Sequence, residues 1–527
     1  MNNLSKQLPF FTSALVMCLL VYFLYPSYQY YIDPDGTAYL TIAHRYAIGD
    51  YTKAINGYWS PWSCWLSALF ITLGFKDIPA SVIVNSIGAI GSLYISQSLF
   101  TKLKVFARLQ WVFNFTLALF LSYAIFDQSF DDIWECFFLL STLRLLISDG
   151  FINKPWLWVG YGTIGALAYF AKAYSFPFFI LNTLAGVWFI TKGNIGNWLK
   201  ICSTAIVCLL LVSLPWIWAL HTKYGIWTTS TSGSLNLSWY LVGHPLWKDG
   251  IDLLLPSPYH DSPYYWEDPY FVNGITPHFW SSGALFIRQI LRIGLNLYKL
   301  LVSTAQISIA FPIISVVLIK FALDPKARKT TDPTFILALF FILFPLGYLL
   351  INFEPRYIWS LIPLGMIVAG LFYQNHLSTK NHYPIVGLLP YVLAATFLVF
   401  PIWRMSKMYN EGKNEYQLAE FLSTLGKDIK FTSKFNSGIE AQRMERLAYF
   451  SKCQFYSLTR PITSRDTLLR EMKRYHVNTY ITNNNLDADS LIDTKMVFEG
   501  DTLKFLLYQD DKFPGTKIYK LDGHTNW

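Results

Sequence analysis

The chain has 527 residues, of which 53% are apolar, 18% aromatic and only 14% charged, whereas ordinary soluble chains carry roughly 25% charged residues. That balance excludes a wholly soluble protein and indicates a polytopic membrane protein. The formal charge of +9 does not indicate a nucleic-acid partner: many of the basic residues fall in short clusters between apolar runs, where they report on topology, and no basic-aromatic surface is visible.

In chain order, the first apolar run, residues 8–24, is followed by PSYQYYID with no small-x-small cleavage site, so it reads as an uncleaved signal anchor. A span needs about 20 mostly apolar residues. Runs near 9–24, 80–100, 111–126, 133–147, 156–170, 175–190, 201–220, 300–321, 335–351, 357–373 and 385–400 predict about eleven spans. With Lys6 inside, strict alternation puts Lys102, Lys104, Arg108, Lys154, Lys192, Lys200, Lys320, Lys326, Arg328, Lys329 and Lys380 on the inner side. The opposite loops then collect Asp33, Asp35, Asp127, Asp131, Asp132, Lys172, Trp266, Glu267, Asp268, Glu354 and Arg356. A site built from them faces outward. Cys18, Cys136, Cys202 and Cys208 lie in apolar runs, and no CxxC spacing predicts a disulfide framework or a zinc site.

The first outer loop, YIDPDGTAYLTIAHRYAIGDYTKAINGYWSPWSCW, is the stretch around which the chemistry gathers. Asp-Pro-Asp-Gly is turn chemistry, and a helix over 37–49 is predicted, with Gly49 at its C-terminal cap. A second helix over 59–73 carries Trp59, Trp62 and Trp65, read as anchors in the membrane interface rather than substrate contacts. DQSFDD, residues 127–132, is a very short loop with three carboxylates, either a solvated turn or a metal or substrate site. Lys172 is either a snorkelling cation or a contact for an anionic substrate. In NFEPR, Glu354 and Arg356 either pair with each other or hold a charged ligand, because unpaired charges are costly at membrane depth. Trp266, Glu267 and Asp268, in the long loop after residue 220, are candidate sugar contacts.

Beyond residue 404 the composition becomes that of a soluble α/β domain, with strand-like DIKFTS, QFYSL, VNTYIT, MVFEG, LKFLLYQ and TKIYKL and helix-like KNEYQLAEFLSTLG and SRDTLLREMKRYH. The fold class is therefore a mainly α-helical polytopic membrane protein, residues 1–404, with a C-terminal soluble α/β domain, residues 405–527, expected on the outer face.

The order DPDGTAYLTIAHRYAIGDY, NGYWSPWSCWLSAL, DQSFDD, GALAYFAKAYSFP and EPRYIWSLIPL resembles the GT-C superfamily of polytopic glycosyltransferases, and within it the protein O-mannosyltransferase and aminoarabinose transferase group. The resemblance covers residues 1–400. The group commonly has Asp followed by Glu in the first loop, whereas here Asp35 is followed by Gly36. The resemblance implies transfer of a sugar from a polyprenyl-phosphate donor to an extracytoplasmic glycan, lipid or protein acceptor, with inversion. It implies Asp35, or else Asp33, as general base, Arg356 and Lys172 at the leaving phosphate, and Asp127, Asp131 or Asp132 positioning Mg or Mn, ions that suit an all-oxygen site. The implied location is the bacterial inner membrane. A transporter or flippase of lipid-linked sugars is the alternative, although the charges gather on one side instead of running through the spans.

Overall fold

A computed structural model describes residues 3–127, 130–242, 254–269, 278–323, 333–378, 384–426, 428–433, 438–458, 464–482 and 491–523. Lys326, Arg328, Lys329 and Lys380, used above to orient the chain, lie outside the described residues. Two compact units emerge, one made of residues 1–29, 43–237 and 278–409, the other of residues 30–42, 238–277 and 410–527.

The first unit is helical. In order come α1 (Asn3–Tyr28), α2 (Pro34–Ala47, divided between the units), α3 (Tyr51–Ala54), α4 (Pro61–Thr72), α5 (Asp77–Lys102), α6 (Ala107–Phe126), α7 (Phe130–Leu146), α8 (Pro155–Ala171), α9 (Ser175–Ile190), α10 (Ile195–Tyr224) and α11 (Ser232–Val242, also divided between the units). Helices Gly283–Ile307, Phe311–Leu323, Pro333–Leu343, Leu346–Leu350, Leu361–Phe372, Pro384–Thr396 and Val399–Met408 follow. Among the described residues six helices are long and apolar enough to cross a membrane, or seven if Gly283–Ile307 and Phe311–Leu323, bent by 119°, form one broken span. The predicted run 300–321 is therefore interrupted at residues 308–310. The shortfall from eleven has a plain cause: α7 and α8 have 17 residues each, α9 has 16 and the helix Leu361–Phe372 has 12, short of a full bilayer crossing at 1.5 Å per residue.

Close helix contact accompanies small residues. A Cβ at Gly162 of α8 would lie 2.3 Å from the carbonyl oxygen of Ala205 in α10, so only glycine permits this approach. The predicted α4 is present, but its tryptophans do not behave as expected. Trp62 lies edge-on to Trp134 and Phe138, and Trp65 edge-on to Phe170 and Trp216. Trp59 is buried. These rings pack against protein rather than serving as free interface anchors, because α4 lies against α5, α7 and α8.

The second unit is built on a six-stranded sheet of order β3-β2-β5-β8-β7-β6, with β2 (Lys430–Ser433) parallel to β3 (Gln454–Phe455) and β5 (Thr479–Thr482). The neighbours from β5 through β8 (Lys517–Leu521) and β7 (Asp501–Tyr508) to β6 (Lys495–Phe498) are antiparallel. A separate pair joins β1 (Leu254–Leu255) to β4 (Ser457–Leu458). All six strand-like segments read from the sequence are strands here.

Central β5 is buried on both faces, as period-two alternation allows when both sides are covered. Tyr480 packs with Leu468, Leu469 and Met472 of the Arg465–Tyr475 helix. Ile481 packs with Leu418 and Leu422 of Lys413–Thr424 and with Met444, Leu447 and Ala448 of Gly438–Ser451. The last of these helices was absent from the sequence reading.

Candidate functional site

The candidate residues fall into three groups. In the helical unit, Asp132 stands in the first turn of α7 and Glu135 one turn further along the same side. Both are buried, at 3% and 1% exposure. Lys172 follows the last residue of α8, at the carbonyl end of a helix where a cation is favoured. Its ammonium is paired with an Asp132 carboxylate oxygen and lies 3.8 Å from Glu135 Oε2. The same ammonium sits 4.3 Å from the ring centre of Tyr357 and 5.6 Å from that of Tyr348.

Arg356, in the 3-10 turn Pro355–Ile358, brings a second cation: its Nε donates to Glu354 Oε2 at 2.9 Å and lies 3.8 Å from Asp132 Oδ2. Asp132 thus bridges both cations. Glu135 is tied down in turn, accepting from Ser175 Oγ at 2.9 Å and from Tyr348 OH at 3.4 Å. The line extends outward through Asn352, which donates to Glu354 at 3.4 Å and accepts from Lys299 Nζ at 3.1 Å.

The suspected metal residues do not converge. Asp127 pairs with Arg404 at 3.0 Å and accepts from Tyr123 OH at 3.0 Å, whereas Asp132 is committed to Lys172 and Arg356. Asp131 lies half-buried next to Asp132 in the first turn of α7. Among the described residues no group of three or more His, Cys, Asp or Glu side chains is placed to hold a metal ion. Asp127 is neutralised by Arg404, and Asp132 by Lys172 and Arg356, so these two carboxylates are poor donors for a divalent cation.

The third group belongs to the sheet-bearing unit. Asp33 is the N-cap of α2: its Oδ1 accepts the Gly36 N–H at 2.6 Å and its carbonyl accepts the Thr37 N–H at 3.0 Å. Pro34 then occupies the first helical position, where its missing N–H is harmless. Helix α2 therefore begins three residues before the predicted start. At its other end Gly49, at φ +82°, and Asp50 return N–H groups to Tyr46 and Arg45 in a Schellman cap, as expected.

Asp35, in the first turn, accepts from Trp266 Nε1 at 3.2 Å, and Tyr264 OH donates to the Pro34 carbonyl. Glu267 and Asp268 are buried in the same unit, Asp268 accepting from Tyr259 OH at 3.2 Å. Two further residues support the turn. Arg446 donates through Nε to the Ile32 carbonyl at 2.9 Å and through Nη2 to Glu411 at 3.1 Å. Glu445 lies beside Asp33 and Asp35, where burial and those two acids push its carboxyl up to about 8.

Sequence reasoning thus found Asp132, Lys172, Glu354 and Arg356, which meet, and Asp33, Asp35 and Trp266, which also meet. It missed Glu135, Tyr348, Tyr357 and Lys299 in one group and Glu445 and Arg446 in the other. Glu135 could have been found, as an acid one turn inside a span.

No family model matches the chain, and no curated protein matches it. Among solved structures it is similar to the oligosaccharyltransferase of Archaeoglobus fulgidus in complex with Zn and sulfate, with a TM-score of 0.55 and 12% identity, over 90% of this chain and 68% of that one. It is also similar to ArnT from Cupriavidus metallidurans, in the apo state at TM-score 0.54 and 10% identity over 96% of each chain. For ArnT bound to undecaprenyl phosphate the TM-score is 0.52 and the identity 11%, over 97% of each chain. The likeness to ArnT extends past residues 1–400, on which the sequence resemblance rests, and so includes the sheet region. The chain shares its fold with these solved structures.

Proposed function

We propose that this protein is an inverting membrane glycosyltransferase that moves a sugar from a polyprenyl-phosphate donor to the hydroxyl of an extracytoplasmic glycan, lipid or protein acceptor. The observation that carries the proposal is the pair of cations, Lys172 and Arg356, held by Asp132 at the ends of apolar helices in a chain with the GT-C fold. Two buried or half-buried cations at one carboxylate form a costly arrangement if it serves stability alone. It suits a site that must meet phosphate charge.

The reaction makes two electrostatic demands. An acceptor hydroxyl is a poor nucleophile and loses its proton as it attacks the anomeric carbon, so a carboxylate must accept that proton. Asp35 meets this demand: Asp33 is spent on capping α2, whereas Asp35 is oriented by an indole N–H. The bond from the anomeric carbon to the phosphate oxygen breaks with its electron pair moving to the phosphate, and fixed cations stabilise that charge. Arg356, with its two-pronged guanidinium, and Lys172 meet the second demand. Glu354 and Asp132 keep these cations in place, and Trp266, Glu267 and Asp268 are the sugar contacts. Mg or Mn at the 127–132 loop does not enter this reading, since Asp127 and Asp132 are paired with protein cations.

ArnT is known bound to undecaprenyl phosphate, and the archaeal protein is an oligosaccharyltransferase, which supports a lipid-linked donor here. In the same reading residues 1–404 form the transferase domain in a bacterial inner membrane, crossing it about eleven times when the short helices are counted, and residues 405–527 lie on the outer face. Purified protein given a radiolabelled polyprenyl-phosphate sugar and an envelope extract tests the proposal. Label moving to a hydroxyl acceptor supports it, and donor passage across a vesicle membrane without transfer replaces it with a flippase.

A further inference from the structure

Glu445 has no structural reason to be an acid. It lies on the Gly438–Ser451 helix, is only 8% exposed, and its Oε2 is buried without a hydrogen-bond partner. The groups that face it are Asp33 and Asp35 from the start of α2, Tyr264 and Tyr265 from the turn Tyr265–Glu267 and the residue before it, and Arg446 from its own helix. The cation among them is already engaged: Arg446 binds Glu411 at 3.1 Å and the Ile32 carbonyl at 2.9 Å and approaches Glu415 at 3.9 Å. An acid buried next to two other acids, with an oxygen unsatisfied, costs stability that an apolar side chain of similar size would not. Such a group is retained where something else completes its hydrogen bonding.

We propose that Glu445 is an acceptor-binding residue, its carboxyl hydrogen-bonding one hydroxyl of a neutral polyol while Asp35 takes the neighbouring hydroxyl. This deepens, and rests on, the assignment of Asp35 as base. Three features favour a neutral sugar-like polyol. The crowding of Asp33, Asp35 and burial keep Glu445 protonated at neutral pH, so it donates a hydrogen bond instead of adding charge. Asp35 remains the acceptor for the hydroxyl that reacts. The surroundings are aromatic, with Trp266 edge-on to Trp239 at 5.2 Å and next to Tyr265 at 5.7 Å, amphipathic rings of the kind that suit the faces and hydroxyls of a sugar ring. No covalent step is assigned to Glu445: it binds and orients.

The test uses the purified full-length protein and two readouts. In the transfer assay Glu445→Leu, which fills the space without hydrogen bonding, raises the acceptor KM about tenfold, the worth of one neutral hydrogen bond, with donor binding unchanged. Glu445→Gln, which keeps a donor, recovers most of that loss and removes the fall in acceptor affinity that wild type shows as pH rises through about 8. An unchanged acceptor KM in Glu445→Leu overturns the proposal.

The second readout needs no turnover. Infrared difference spectra identify the protonated carboxyl band lost in Glu445→Gln, and mannose and glucosamine serve as probes. A shift of that band with mannose supports the proposal; no shift with mannose, or a shift with the glucosamine ammonium alone, overturns it, the latter in favour of a cation site. If wild type transfers no sugar, the glycosyltransferase reading fails while the infrared result still decides the role of Glu445.

Discussion

Lys172 offers a quantitative test of the buried charge cluster. Replacing it with Met keeps the length and apolar stem and removes the ammonium, leaving Asp132 and Glu135, 3% and 1% exposed, facing each other without their main cation. Breaking a buried pair by removing one partner costs about 3–5 kcal/mol. Arg356 Nε, 3.8 Å from Asp132, compensates in part and places the loss near the lower end, while the cation-aromatic contact with Tyr357 at 4.3 Å adds about 1 kcal/mol. The expected loss is therefore about 3–4 kcal/mol. The further change Asp132→Asn removes the stranded charge, so Lys172→Met with Asp132→Asn should be more stable than Lys172→Met alone by about 2 kcal/mol. Melting in detergent of wild type, both single variants and the pair measures the coupling, and sugar transfer is read in parallel. Recovery of stability without recovery of transfer is the expected pattern. A Lys172→Met protein that melts with wild type, or a double variant no better than the worse single, would refute the buried-pair reasoning.

Arg356→Lys should reduce transfer at least about tenfold in correctly folded protein, because an ammonium cannot reproduce the guanidinium fork; if Glu354→Gln with Arg356→Gln restores activity, Arg356 serves only its 2.9 Å pair with Glu354. Glu445 also gives a pH dependence. Its carboxyl is raised from an ordinary value of 4.5 to about 8 in the fold, so the folded state holds the proton more tightly and stability falls as pH rises from about 4.5 towards 8. Glu445→Gln should flatten that slope and be the more stable protein above pH 8, as read from unfolding midpoints across the range; parallel slopes would contradict it. A cysteine replacing exposed Glu499 should react with an impermeant reagent in cells whose outer barrier is opened, and one replacing exposed Lys192 should not. The reverse pattern would invert the proposed topology.

What the sequence disclosed follows from which signals are local. Lysine-bearing loops and short acidic loops alternate along the sequence, and that was enough to nominate Asp132, Lys172 and Arg356, residues far apart in the chain that meet at one carboxylate. The C-terminal cap of α2 was legible because Gly49 acts within a turn of its own position, whereas Asp-Pro-Asp-Gly read as a turn and hid Asp33 as the N-cap. The tryptophans of α4 were misjudged because the same aromatic pattern suits an interface and a helix contact, and only the neighbours Trp134, Phe170 and Trp216 decide between them. Span counting faltered where helices are short and polar at one end, as in α7. Glu445 gave no signal at all: GIEAQRMERLAYFS reads as an ordinary helix surface until folding sets it against residues 33–35.

The central claim is that Asp35 is the proton acceptor in sugar transfer, and it is tested most directly by the turnover of Asp35→Asn in purified protein supplied with a polyprenyl-phosphate sugar. Asn keeps the shape and the contact with Trp266 Nε1 but cannot take the proton, so transfer should fall by about 10²- to 10⁴-fold with donor binding intact. Asp33→Asn should stay within about tenfold of wild type, since Asn caps a helix almost as well as Asp. Near-normal turnover by Asp35→Asn would contradict the account and remove Asp35 as the base.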